Sequence, residues 1–130
     1  MTQQPHWHLL GAGAIGCLYA GHLRSSGCDI SLIMREGTSP ASLPIITEHG
    51  GIRSEQHVPV VTPNSHAPIS HLVITTKAYD VSEAVASIAH LLSEDSVVVL
   101  LVNGMGLAEQ LAADWPQLNI FCGTTTEGAY

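Results

Sequence analysis

The sequence predicts an α/β fold, a doubly wound parallel sheet with helices packed on its faces. Three observations predict it. Short apolar or β-branched runs at 6–10, 29–34, 71–75, 96–102 and 119–122 alternate with segments of helical apolar spacing. Directly after the first run comes Gly11-Ala12-Gly13-Ala14-Ile15-Gly16, a GxGxxG pattern in a strand–turn–helix setting. The run Ser96 to Val102 is almost continuously apolar, as expected of a parallel strand covered on both faces.

The elements follow in order. His6 to Leu10 reads as a strand, and Ile15, Leu18, Tyr19, His22 and Leu23 follow at helical spacing. Gly27 stands where a C′ glycine would end that helix, and Asp29 to Met34 supplies a second strand. The result is a βαβ unit of the Rossmann type. In it the first glycine permits the tight turn, the second lets backbone N–H groups approach a phosphate, and the third lets helix pack on strand. The helix start adds unpaired N–H donors and a partial positive charge, which suit an anion.

Residues 36–51, rich in Gly, Ser, Pro and Thr, read as a loop. Ile52 to Val61, interrupted by charges and Pro59, reads as a weak, edge-type strand. A second loop, 62–70, contains Pro63 and Pro68, and His71 to Thr75 resumes the strand pattern. Asp80 and Glu83 have the spacing of an N-cap and its partner, ahead of an apolar helix face made by Val81, Ala84, Val85, Ile88, Leu91 and Leu92. After the strand at 96–102, Leu107, Ala108, Leu111 and Ala112 give a short helix stopped before Pro116, and Asn119 to Cys122 gives a last strand.

Composition narrows the function classes. A chain of 130 residues, 45% hydrophobic and 12% charged, suits one globular domain. A net charge of −7 with four Lys and Arg argues against nucleic-acid binding. No apolar run is long enough for a membrane span, and the N-terminus lacks the pattern of a signal peptide, so the expected compartment is the cytoplasm. The eight histidines include no HxxxH and no cysteine partner at ligand spacing, so no metal site is expected. His6 and His8 would share one face of the first strand. The three cysteines, Cys17, Cys28 and Cys122, form no CxxC and are expected as buried, reduced thiols.

In a doubly wound sheet, ligands bind at the C-terminal strand ends, and polar residues gather at those ends here. Arg35 follows the second strand, roughly 20–25 residues beyond the glycines, where NAD-binding domains usually carry an acidic residue. Its guanidinium suits a 2′-phosphate and points to NADP(H); the adjacent Glu36 could serve a ribose hydroxyl instead. Lys77, the sole lysine, follows the 71–75 strand and could attract a cofactor phosphate or the carboxylate of an acidic substrate. Asn103, in Asn103-Gly104-Met105-Gly106, offers an amide donor and acceptor, either to a ligand or as a helix cap. The last strand runs into Gly123-Thr124-Thr125-Thr126-Glu127-Gly128-Ala129-Tyr130, which either lines the cleft or forms a turn.

Together GAGAIG, Arg35, TTKAYD, NGMG and GTTTEGAY resemble the N-terminal domain of the 2-dehydropantoate 2-reductase (ketopantoate reductase) family over essentially the whole chain. The resemblance implies NADPH-dependent reduction of a small-molecule 2-oxo acid, 2-dehydropantoate, to pantoate in pantothenate and coenzyme A biosynthesis. By position, Gly11 to Gly16 would hold the pyrophosphate and Arg35 the 2′-phosphate. Lys77 and Asn103 would sit near the nicotinamide ribose and the substrate, and Ala129 would touch the cofactor through its backbone. The family's helical second domain supplies its catalytic lysine and substrate carboxylates. Residues 1–130 are therefore expected to form the dinucleotide-binding domain alone, with no catalytic residue, weak cofactor binding and no turnover.

Two other readings stay open. One is a stand-alone nucleotide-binding module. The other is the Rossmann domain of a different lineage, such as 6-phosphogluconate or 2-hydroxyacid dehydrogenases, which lack the paired TTKAYD and NGMG signals. Oligomeric state is undetermined at this level.

Overall fold

The structure is a computed structural model that describes residues 5–11, 13–34, 41–102 and 106–123. Its strands are β1 (His6–Leu10), β2 (Asp29–Ile33), β3 (Ser42–His49), β4 (Ile52–Val61), β5 (His71–Ile74), β6 (Val97–Leu100) and β7 (Asn119–Cys122). Its helices are α1 (Ala14–Ser25), α2 (Val81–Ile88) and α3 (Leu107–Asp114). The strands form one sheet in the order β3-β4-β2-β1-β5-β6-β7. Every pairing is parallel except β3 with β4. The predicted α/β architecture is therefore present, with an antiparallel hairpin appended at one edge.

Helix α1 ends as its sequence demands. Gly27, at φ +88°, donates its N–H to the Arg24 carbonyl (3.1 Å), and Cys28 donates to the Leu23 carbonyl (3.0 Å). These are the two bonds of a Schellman cap, which only glycine enters without strain. On the face α1 turns to the sheet, Gly16, Ala20 and Gly21 are buried and Cys17, Tyr19 and Leu23 pack partly against the same layer, whereas His22, expected on the apolar stripe, is exposed. A Cβ on Gly21 would lie 3.0 Å from Ile45 Cγ2 and 3.3 Å from Thr47 Cγ2, so glycine lets the helix rest directly on β3.

That strand corrects the expectation of a loop over 36–51. Gly50 (φ +59°) and Gly51 (φ +81°) form a two-residue turn between the paired residues His49 and Ile52. Positive φ at both positions is what a type I′ hairpin requires. Leu43 and Ile45 pack with α1, and the alternate positions 42, 44, 46 and 48 are exposed. The edge role expected of 52–61 passes to β3. β4 lies between β3 and β2, joined to β2 only at Leu32–Val60 and Ile33–Val61.

Two apolar layers flank the sheet. One joins α1 to Leu9, Ile30, Leu32, Val58 and Val73. The other joins α2 and α3 to Leu10, Ile33, Leu72, Ile74, Val98 and Leu100. Because α2 and α3 both lie on the second face, the first face loses cover towards β7. Exposure along one row of paired residues rises from Leu9 (0%) and Val73 (7%) through half-buried Val99 to Phe121 (57%). The expectation that 96–102 is covered on both faces is corrected accordingly: Val97 and Val99 are only half-buried. Cys122, at the sheet edge, is likewise exposed rather than buried, while Cys17 and Cys28 are intermediate and none of the three is in a disulfide.

The cap predicted at Asp80 is also corrected. A 3₁₀ turn, Ala78–Asp80, precedes α2 and holds Asp80 at φ −98°, ψ −9°. An N-cap side chain reaches the first-turn amides from an extended backbone, and Asp80 makes no capping bond. α2 is nevertheless anchored by buried Val81, Val85 and Ile88. No helix among the described residues is long and apolar enough to cross a membrane.

The N-terminal end of the sheet carries a polar cluster. His6 Nδ1 lies 2.8 Å from the Asp29 carboxylate, and its Nε2 lies 2.8 Å from Ser31 Oγ. His8, on the same strand face, is buried and meets the His6 ring edge-on at 4.7 Å between centroids. Its Nδ1 has no partner among the described residues. Burial, reinforced by the neighbouring His6 charge and only partly opposed by Asp29, lowers the His8 pKa from 6.5 to about 4. The unfolded chain therefore binds this proton more readily than the folded one. Stability from this group is complete above pH 6.5 and lost as pH falls towards 4, by about 3 kcal/mol. The bond from His6 holds the Asp29 carboxyl below its ordinary value, so any loss it adds comes at still lower pH. Urea unfolding from pH 7 to 4 should show the His8 slope, and His8→Leu should flatten it. An equally steep profile in the variant would assign the slope elsewhere.

Candidate functional site

Parallel pairing brings the C-terminal strand ends together. Leu10 pairs with Ile33 and Ile74, Ile74 with Leu100, and Leu100 with Cys122. These five residues form one row across the sheet. Their successors in the chain, Gly11, Met34, Thr75, Leu101 and Gly123, therefore share one rim. β1 is also where the order reverses, with β2 on one side and β5 on the other. Such a switch point is where open α/β sheets bind ligands.

The glycine turn sits on this rim against β5. Gly11 has φ +112°, and a Cβ there would lie 2.8 Å from the Thr76 nitrogen and 3.0 Å from Thr75 Oγ1. A Cβ on Gly16 would be driven into the Gly11 carbonyl oxygen and would reach 2.7 Å from Thr75 Oγ1. The first and third glycines are thus packed by the protein itself. Gly13 differs: it is exposed, and a Cβ there would meet nothing within 4 Å among the described residues. The second glycine faces open space, as a position left for a ligand should.

Gly13 is also the N-cap of α1, with no side-chain capping bond and no acidic residue in the first turn. Its carbonyl accepts from Cys17 N–H (2.9 Å), which starts the helical ladder. The N–H groups of the first turn, those of Ala14, Ile15 and Gly16 among them, have no partner within the helix. They and the helix dipole offer an anion site that no capping side chain fills. Thr76 adds a buried hydroxyl with no hydrogen-bond partner among the described residues. A pyrophosphate fits this cradle in chemistry: backbone donors, one open glycine and no acidic residue in the first turn.

Lys77 follows on the same rim, exposed, as the residue that leads into the 3₁₀ turn. Its ammonium pairs with no carboxylate among the described residues. The expectations for Ala12, Arg35, Asn103 and Ala129 concern positions outside the described residues. The N-cap position of α3 is held by Gly106, at φ +77°, not by Asn103. The residue that sequence reasoning passed over is Thr75, whose hydroxyl donates to the Gly11 carbonyl at 2.9 Å. Its signal was a threonine opening the TTK segment at the end of a central strand. A shallow recess lined by His8, Ile33, Thr62, Ser65 and Ile69 opens on the α2 face instead and shares no residue with this rim.

Comparison with known proteins agrees with this fold. Residues 7–130 match the family described as Ketopantoate reductase PanE/ApbA. The chain is 30% identical over 121 residues to a 2-dehydropantoate 2-reductase of Vibrio cholerae, covering 93% of this chain and 39% of that protein. It is 32% identical over 121 residues to that of Escherichia coli O157:H7, with the same coverage of 93% and 39%. The chain thus spans about two-fifths of the length of these relatives. Among solved structures, the fold resembles 2-dehydropantoate 2-reductase from Methylococcus capsulatus, with TM-score 0.76 and 19% identity over 95% of this chain and 41% of that one. It also resembles D-mandelate dehydrogenase in a complex with NADH and anilino(oxo)acetate, with TM-score 0.76 and 23% identity over 94% of this chain and 41% of that one.

Gly13 and Gly16 should respond differently to one methyl group. Gly16→Ala is expected to lower the thermal midpoint sharply, by several kcal/mol of stability, because backbone must move. Gly13→Ala should fold with a midpoint close to wild type, since its φ of −77° suits alanine and the space is open. Thermal unfolding followed by circular dichroism separates them, and equal midpoints for the two variants would contradict the packing described.

Proposed function

This chain belongs to the ketopantoate reductase family, and we propose that residues 1–130 are the NADPH-binding domain of a 2-dehydropantoate 2-reductase. The observation that carries the reading is the glycine cradle on the sheet rim. Gly11 and Gly16 are closed by the protein, Gly13 is open, and the N-terminus of α1 is left without a side-chain cap. A reduced nicotinamide, when bound, supplies the hydride that converts the keto carbon of a 2-oxo acid into an alcohol.

The chain's own residues bind and orient. The first-turn amides of α1 and the turn Gly11–Gly16, Ala12 and Ala14 included, hold the pyrophosphate. Arg35, just beyond β2, holds the 2′-phosphate through its guanidinium fork. Lys77 contributes a positive charge beside the nicotinamide ribose and attracts the substrate carboxylate. Asn103 offers its amide to the same region, and Ala129 a backbone contact. A cytoplasmic location, where nicotinamide cofactors and reduced thiols coexist, belongs to the same reading, as does the place of the reaction in pantothenate synthesis.

NADH is the specific competitor, because D-mandelate dehydrogenase, similar in fold, is described with NADH and because Glu36 adjoins Arg35. Titrating the chain with NADPH and NADH by nicotinamide fluorescence decides between them. Wild type should prefer NADPH by about ten-fold or more, the scale of one charge-assisted fork, and Arg35→Ala should erase the preference while leaving NADH affinity unchanged. Equal affinities in wild type, unaffected by the substitution, would remove the 2′-phosphate assignment.

A further inference from the structure

The Gly11 carbonyl stands between two hydrogen-bonding systems and belongs to neither. The β1–β5 ladder ends beside it, with Thr75 N–H donating to the Leu10 carbonyl at 2.9 Å. The helical ladder begins after it, at the Gly13 carbonyl. Between them, the only described group donating to Gly11 is the Thr75 hydroxyl, at 2.9 Å, with the Leu10 carbonyl at 3.2 Å sharing the same hydrogen. That hydroxyl also lies against the position a Gly16 Cβ would take. One side chain therefore fastens the first glycine and shapes the space kept by the third.

A glycine at φ +112° has many alternative conformations, and nothing in its own side chain selects one. Fixing its carbonyl fixes the plane of the peptide group that carries it. The turn then leads into α1 along one path. Without the hydroxyl, the carbonyl is unsatisfied at a half-buried site and the turn is released to seek water.

We propose that Thr75 is the positioning residue of this site: its hydroxyl holds the glycine turn in its pyrophosphate-binding path and thereby sets dinucleotide affinity without touching the ligand. The proposal rests on the cofactor reading given above and goes beyond it in assigning a control of affinity to β5. Because the pyrophosphate is common to both nicotinamide dinucleotides, Thr75 acts on both alike. Arg35 distinguishes them.

The test is titration of the full chain and its Thr75→Val, Thr75→Ser and Thr75→Ala variants with NADPH and NADH, below each thermal midpoint. Thr75→Val keeps the shape and removes the donor. It should weaken both cofactors by a common factor of about ten, the scale of a lost buried hydrogen bond. Thr75→Ser, which keeps the donor, should bind within about three-fold of wild type on the same scale. If Thr75→Val does not fold, Thr75→Ala carries the comparison with serine. Folded Val or Ala variants that bind like wild type would overturn the proposal while leaving the cofactor reading intact. So would a loss of equal size in the serine variant. A wild-type chain that binds neither dinucleotide would overturn both.

Discussion

The parallel register around β1 is the constraint on which the remaining structure depends. Leu10 is opposite Ile33 on one side and Ile74 on the other, and Leu100 and Cys122 continue the row. In these parallel ladders the last residues of the strands pair with one another. Their ends therefore make a common rim, and residues far apart in sequence become neighbours. The glycine turn, the threonines ahead of Lys77, and the segments leading to Arg35 and Asn103 meet there because the ladders leave their strands nowhere else to end.

Helix placement then decides which faces of the sheet are dry. α1 approaches closely where glycine removes the side chain, at Gly16 beneath the turn and Gly21 on the hairpin. α2 and α3 approach through branched apolar residues on the opposite face. The first face is covered from β3 to β1 and progressively uncovered towards β7, ending in exposed Phe121. The same packing that fixes the glycine turn therefore leaves a different chemistry at the far edge.

The two ends of β1 also differ in kind. At its start, His6, Asp29 and Ser31 satisfy one another while His8 stays buried with an unsatisfied nitrogen, an arrangement whose effect is on stability and pH. At its end, the first-turn N–H groups of α1 lack partners within the helix, and the Thr76 hydroxyl has none among the described residues, on a surface open at Gly13. Unsatisfied donors on an open rim favour ligand binding; an unsatisfied imidazole inside a packed layer favours neutrality. A histidine count by itself could not separate these cases.

Much was legible beforehand because local rules act over a few residues. The spacing of Gly11, Gly13 and Gly16, the αL stop at Gly27, and the apolar runs of β1, β2, β5 and β7 each carry their own signal. Other features depended on partners. β3 was hidden within a polar stretch because its strand character comes from a glycine turn at one end and a helix at one face. Asp80 had the identity of a cap but not the backbone for it. The apolar run at 96–102 predicted cover on two faces, and the helices supplied it on one. Thr75 opens the TTK segment, but its meaning arises only where β5 ends beside the carbonyl of a residue 64 positions away. The sequence by itself determined the α/β class, the glycine turn and the family resemblance, because these rest on short-range spacing. Tertiary structure alone decided which glycines are closed by the protein, which one faces open space, and which hydroxyl meets the Gly11 carbonyl, because those are relations between segments that only folding brings together.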